Sequence, residues 1–160
     1  MKPSVYIETT IPSFYHEVRT EPEMIARRDW TREWWNNHRS RYDVFTSEAV
    51  IEELEIGTFP SKDNALALVE PAPLLAINEA IADAVAVYIA HYVMPADPVG
   101  DGLHLAIASF HKCDFLLPWN CQHLANANKF GHIRRINTLL GFFVPIIVTP
   151  LELLGEITAL

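Results

Sequence analysis

The stretch Phe115-Leu116-Leu117-Pro118-Trp119-Asn120 decides the fold. Its first three residues form a wholly apolar run, the kind of strand that is buried on both faces of a parallel sheet rather than alternating between core and solvent. Upstream, an apolar helix pattern covers Gly100–His111. Downstream, helical patterns at Gln122–Asn128 and His132–Phe142 precede a strand at Ile146–Val148 and a last helix after Pro150. From Ile77 to Val93 the apolar residues Ile77, Ala80, Ile81, Ala84, Val85, Tyr88 and Tyr92 recur at i, i+3, i+4 spacing, and Pro95 closes the pattern. Nearer the N-terminus, Val5-Tyr6-Ile7 is a short strand. Pro12 suits a first helical turn, and a Trp-rich helix covers Glu23–Asn37. Tyr42–Phe45 is a second strand, Thr46-Ser47 supplies an N-cap for a helix that stops at Gly57, Ser61 caps another, and a third strand is expected around Leu68–Glu70. Strands separated by helices call for a mostly parallel sheet of about five strands covered on both faces, in one α/β domain spanning residues 1–160.

With 160 residues the chain can bury a core without staples. Its formal charge of −8 excludes a domain held to nucleic acid mainly by an overall basic surface. The acidity is local. Residues 42–101 hold one Lys against eleven acids, while the segments on either side are each slightly basic. The longest apolar stretch, Leu139–Val148, is broken by Gly141 and Pro145 and is too short to span a bilayer. The N-terminus shows no secretory pattern, and two cysteines make no disulfide framework, so a cytoplasmic setting is expected.

In open parallel sheets, working residues gather at the carboxyl ends of strands. That rule selects Glu8 after the first strand, Asn120 after Leu117, Asp101 at the head of its helix, and the helix after the second strand, which carries Glu48, Glu52, Glu53 and Glu55. Three carboxylates and an amide on one edge make an oxygen-only site, suited to Mg²⁺ or Mn²⁺ rather than zinc. The structural alternatives are a solvated strand end for Glu8, a helix-dipole acid for Asp101 and a turn-capping residue for Asn120.

The segments Tyr6-Ile7-Glu8-Thr9-Thr10-Ile11-Pro12-Ser13, Thr46-Ser47 followed after five residues by Glu53-Leu54, and Asp101-Gly102-Leu103-His104-Leu105-Ala106 resemble the three acidic motifs of PIN-domain nucleases. Leu117-Pro118-Trp119-Asn120-Cys121-Gln122-His123-Leu124-Ala125-Asn126 is similar to a fourth motif found in the VapC-type toxin branch. The resemblance implies a three-layer α/β/α sandwich and a divalent-metal-dependent endoribonuclease, the toxin of a toxin–antitoxin pair. Glu8, Glu53 and Asp101 take its metal-ligand positions and Asn120 the fourth catalytic position, with Glu52 the rival to Glu53. The family commonly has Asp where this chain has Glu8 and Asn120; the longer Glu8 arm favours Mn²⁺, and Asn120 brings an amide carbonyl without charge. RNA and an antitoxin are the implied partners, and a homodimer the implied assembly. The alternative is a degenerate PIN domain that binds RNA or protein without cutting.

His104 shares a helix face with Asp101 and reads as a packing or supporting residue. Trp30, Trp34 and Trp35 suit core packing or a partner surface better than base stacking. Lys129, Arg134 and Arg135 follow Asn120 and are the candidates for phosphate contacts. His111, Cys113, Cys121 and His123 have the residue types of a zinc site, but a strand holds the two pairs roughly 16 Å apart, far beyond ligand distances.

Overall fold

The computed structural model describes residues 1–96 and 99–158. Four strands, β1 (Ser4–Ile7), β2 (Asp43–Phe45), β3 (Phe115–Leu117) and β4 (Ile146–Ile147), form an all-parallel sheet in the order β2-β1-β3-β4. Val5, Tyr6 and Ile7 pair with Phe115, Leu116 and Leu117, so the two central strands end level with each other. Around the sheet run α1 (Thr10–Tyr15), α2 (Pro22–Glu33), α3 (Glu48–Ile56), α4 (Lys62–Val69), α5 (Glu79–Ala90), α6 (Val99–Phe110), α7 (Ala127–Leu140) and α8 (Pro150–Thr158).

The period-two geometry of the strands divides the interior into two cores. Tyr6, Leu116 and Ile147 point into one, with buried residues of α3 to α7; Val5, Ile7 and Leu117 point into the other, with Ile11, Trp34, Trp35, Trp119 and Leu154. Helices therefore cover both faces of the sheet, as a three-layer sandwich requires. Among the described residues, no helix is long and apolar enough to cross a membrane.

The expected fifth strand is not formed. Leu68 and Val69 close α4, where Ala65 and Val69, one helical turn apart, are both buried. A short apolar run such as Leu66–Val69 does not distinguish strand from helix by periodicity, and here the i, i+4 pair decided it. Extended chain comes slightly later: Leu74 makes a lone parallel bridge to Thr46 outside β2, with Leu75 N–H donating to the Thr46 carbonyl at 2.8 Å. Gln122–Asn128 is likewise not a separate helix. α7 starts at Ala127, capped by the Asn126 side chain, and continues through Gly131 without a break.

Trp34 and Trp35 lie in the core, so packing accounts for them. They occupy a π-helical turn, Trp34–His38, that widens the end of α2 and takes both neighbouring indoles inward. Trp30 is half-buried and stacks on Trp119 with centroids 6.1 Å apart. The Trp119 indole N–H donates to Thr31 at 2.7 Å, which fixes α2 against the chain just beyond β3.

On the opposite face, the Asn137 side chain ties α7 to its neighbours. It accepts from the Tyr88 hydroxyl at 2.6 Å and donates to Ser109 at 2.9 Å and to the Phe143 carbonyl at 3.0 Å. Burial pushes the Tyr88 phenol up to about 12, so it stays a donor. Asn137→Ala leaves these groups without their partner in a dry site. It should lower stability by about 3 kcal/mol, read by urea unfolding as a lower midpoint with an unchanged slope.

Candidate active site

Glu8 extends β1 by one residue, its N–H donating to the Leu117 carbonyl at 3.3 Å. The side chain is only 4% exposed. Thr10 donates to Oε1 twice, through its backbone N–H and its hydroxyl, each at 2.5 Å. The Thr10 hydroxyl in turn accepts the Trp119 N–H at 2.8 Å, so the ends of β1 and β3 fix the carboxylate together. Both donors fall on Oε1. Burial pushes the Glu8 carboxyl above its usual value, against the opposing pull of His104 and Thr10.

Glu53 comes from α3, and both of its oxygens are held. His104 Nε2 lies 2.7 Å from Oε1, and the Thr9 hydroxyl donates to Oε2 at 2.8 Å. His104, on α6 and 1% exposed, reaches the Tyr6 hydroxyl with Nδ1 at 2.7 Å, and Tyr6 reaches Ser47 Oγ at 2.7 Å. The hydrogens of this chain follow from its ends. With Nε2–H donating to the carboxylate, Nδ1 of a neutral His104 accepts from Tyr6, which accepts from Ser47. Protonation of His104 reverses the last two donors. Burial pushes the Tyr6 phenol well above its usual range, so it keeps its proton in either state.

The ionic form is favoured at the His104–Glu53 contact. Burial alone would raise Glu53, but the His104 hydrogen bond and charge, with Thr9, hold it below its usual value. Burial alone would lower His104, but the hydrogen bond and charge of Glu53, with the charges of Glu8 and Asp101, lift it above its usual value. Backbone shape keeps the contact open: a Cβ on Gly100 would stand 2.8 Å from Glu53 Oε1.

Asp101 sits in the first turn of α6 and is 6% exposed. Asn120 Nδ2 donates to its Oδ2 at 2.9 Å. Asn120 Oδ1 accepts the backbone N–H groups of Gln122 at 3.0 Å and His123 at 2.8 Å, and those two donors fix the amide orientation. The expected carbonyl toward a cation is therefore turned into the loop, and Asn120 presents its NH₂ to the cluster instead. Burial pushes Asp101 up, opposed by His123, His104 and Asn120.

The structure thus brings Glu8, Glu53, Asp101 and Asn120 together. It separates Glu53 from Glu52, Glu48 and Glu55, which are exposed on α3. Lys129, Arg134 and Arg135 stay outside the cluster. Lys129 donates to the Val93 carbonyl at 3.1 Å, and Arg134 and Arg135 are exposed on α7. Sequence reasoning missed Tyr6, Ser47, Thr9, Thr10 and Gly100. For the threonines a signal existed, since two hydroxyls directly follow Glu8. For Tyr6 none did, because it reads as an ordinary core aromatic. Of the zinc-like set, Cys113 is buried with its thiol pushed up to about 12 by burial, and His111 bonds to the Ala76 carbonyl.

Among the described residues, no three His, Cys, Asp or Glu side chains already stand at metal-ligand spacing. The donor set still fits a hard divalent cation. It offers carboxylate oxygens, and no Lys or Arg of the described residues forms an ion pair with any of the three acids. No protein-family model matches the chain, and no curated protein matches it.

A buried carboxylate with a raised pKa favours folding below its unfolded-state pKa and loses that contribution as pH rises through the folded value. Glu8→Gln, which mimics the protonated form, should therefore stabilise the metal-free protein at pH 7, raising Tm by roughly 2–4 °C. The gain should shrink as pH falls toward the ordinary carboxyl value of 4.5. Calorimetric scans of both proteins across that range check the sign; a variant less stable at pH 7 contradicts it.

Proposed function

We propose that this chain is a divalent-metal-dependent endoribonuclease of the PIN type, acting in the cytoplasm as the toxin of a toxin–antitoxin pair. One observation carries the nuclease reading. Three carboxylates from separate segments, Glu8 after β1, Glu53 on α3 and Asp101 on α6, converge around the buried imidazole of His104 at the carboxyl edge of the parallel sheet. A cluster of like charges in a poorly solvated place is costly without a cation. The toxin role, the antitoxin and a homodimer rest on the resemblance of the four motifs.

Glu8, Glu53 and Asp101 would hold Mg²⁺ or Mn²⁺. The bound ion would supply an activated water and neutralise charge at the scissile phosphate. The protein's own residues prepare the site. Thr10 fixes Glu8 through Oε1, and neither of its hydrogen bonds uses Oε2. His104 and Thr9 orient Glu53, each oxygen of which retains a second lone pair. Asn120 orients Asp101 through one oxygen. Lys129, Arg134 and Arg135, which follow Asn120 in the chain, are the proposed phosphate contacts.

A second reading, a degenerate domain that binds RNA or protein without cutting, draws on Asn120, whose carbonyl is spent on the backbone and whose position carries no charge. Cleavage of labelled single-stranded RNA separates the two. With Mn²⁺ the wild type should cut, and EDTA should stop it. Asp101→Asn should lower the rate by about 100-fold or more, and Asn120→Ala, which removes the support of Asp101 together with the loop bonds to Gln122 and His123, by about 10–100-fold. Cleavage that survives both EDTA and Asp101→Asn overturns the nuclease reading; RNA bound but uncut with Mn²⁺ present establishes the second.

A further inference from the structure

We infer that Tyr92 is a base-stacking platform for single-stranded RNA, carried on the turn after α5 that Lys129 and His132 of α7 hold; the choice of RNA as ligand rests on the ribonuclease reading. Tyr92 follows the last turn of α5 with φ +59°, in the left-handed region that favours glycine, and its side chain is 90% exposed. The conformation closes the helix, since Tyr92 N–H donates to Ile89 O and Val93 N–H to Tyr88 O, at 3.1 and 2.8 Å. Glycine would close it with less strain and without placing an aromatic ring in water. Neither the core nor the helix end accounts for this ring.

Its surroundings suit a nucleic acid. The carbonyls on either side of Tyr92 are both held by α7: His132 Nε2 lies 2.7 Å from His91 O, and Lys129 Nζ lies 3.1 Å from Val93 O. The turn that carries the ring is therefore bonded by a cationic side chain and an imidazole, with Arg135 3.4 Å from His132 Nδ1. Residues 115–151 contain Lys129, Arg134 and Arg135 and no Asp or Glu, so the segment that carries these cations has no acid of its own. An aromatic face among basic groups is the common form of a single-strand subsite, because every base offers a π-face while the cations follow the backbone.

The turn also packs on α6, the helix that supplies Asp101. Met94, at most about 7 Å of chain beyond Tyr92, packs against Gly102: a Cβ on that glycine would stand 3.6 Å from Met94 Cβ. Gly102 adjoins Asp101. The turn that carries Tyr92 is thus packed, through Met94, on the helix that carries Asp101.

Fluorescence anisotropy with a labelled single-stranded RNA, in EDTA and at low salt, tests this without cleavage. Tyr92→Ala should weaken binding roughly tenfold or more, and Tyr92→Phe should bind as the wild type does. Tyr92→Gly should lose the same affinity while raising Tm, since strain and stacking are removed together. Duplex RNA, whose bases are already stacked, should respond to none of the three. Wild-type affinity in Tyr92→Ala, or an equal loss on duplex, overturns the platform. Because the readout needs no metal, absent cleavage leaves it intact, and Mn²⁺-dependent cleavage with Tyr92-independent binding defeats it alone.

Discussion

Glu8 ends a strand whose last three residues are fully buried, and a carboxylate in that position must be hydrogen-bonded, neutralised or matched by a cation. Much of the site follows from that constraint. Thr10 supplies the hydrogen bonds, and Trp119 beyond β3 holds Thr10 in place. The charge is left to His104 and to whatever cation the cluster takes up. His104 can serve because strand alternation turns Tyr6 toward the α3–α7 face, where its hydroxyl meets the imidazole, while Val5 and Ile7 pack on the other face. One strand thus builds both cores and supports the centre of the site.

Most of the secondary structure was legible in the sequence because it rests on local signals. Phe115–Leu117 is a strand with the expected bounds, and the helix after Thr46-Ser47 ends at Gly57 as its residues indicate. Expectations failed where tertiary packing chose between equal local options. Leu68–Glu70 has a strand-like composition, but Ala65 and Val69 found a core to enter as one helical face. Gln122–Asn128 could have been a helix, but Asn120 and Asn126 spend their side chains on turn and cap hydrogen bonds.

At the site, residue types were readable and their geometry was not. The choice of Glu53 over Glu52 depends on the rotation of α3 against α6, which no spacing within α3 reveals. The reversed amide of Asn120 depends on two backbone N–H groups in the following turn. The function of Gly100 depends on the oxygen of a residue far away in sequence. The acidity of residues 42–101 acquires a physical meaning here. Two of its members, Glu53 and Asp101, are drawn into one poorly solvated cluster with Glu8, while segment 115–151 carries Lys129, Arg134 and Arg135 and no acid. The cluster itself repels a scissile phosphate until a divalent ion neutralises it.

The central claim is that the three carboxylates form one cation site, and calorimetric titration of the protein with Mn²⁺ tests it most directly. The account predicts saturable binding below millimolar Mn²⁺ that Asp101→Asn and Glu8→Gln each weaken strongly while both variants remain folded. Absence of binding at millimolar Mn²⁺, or binding that both variants retain unchanged, would contradict it.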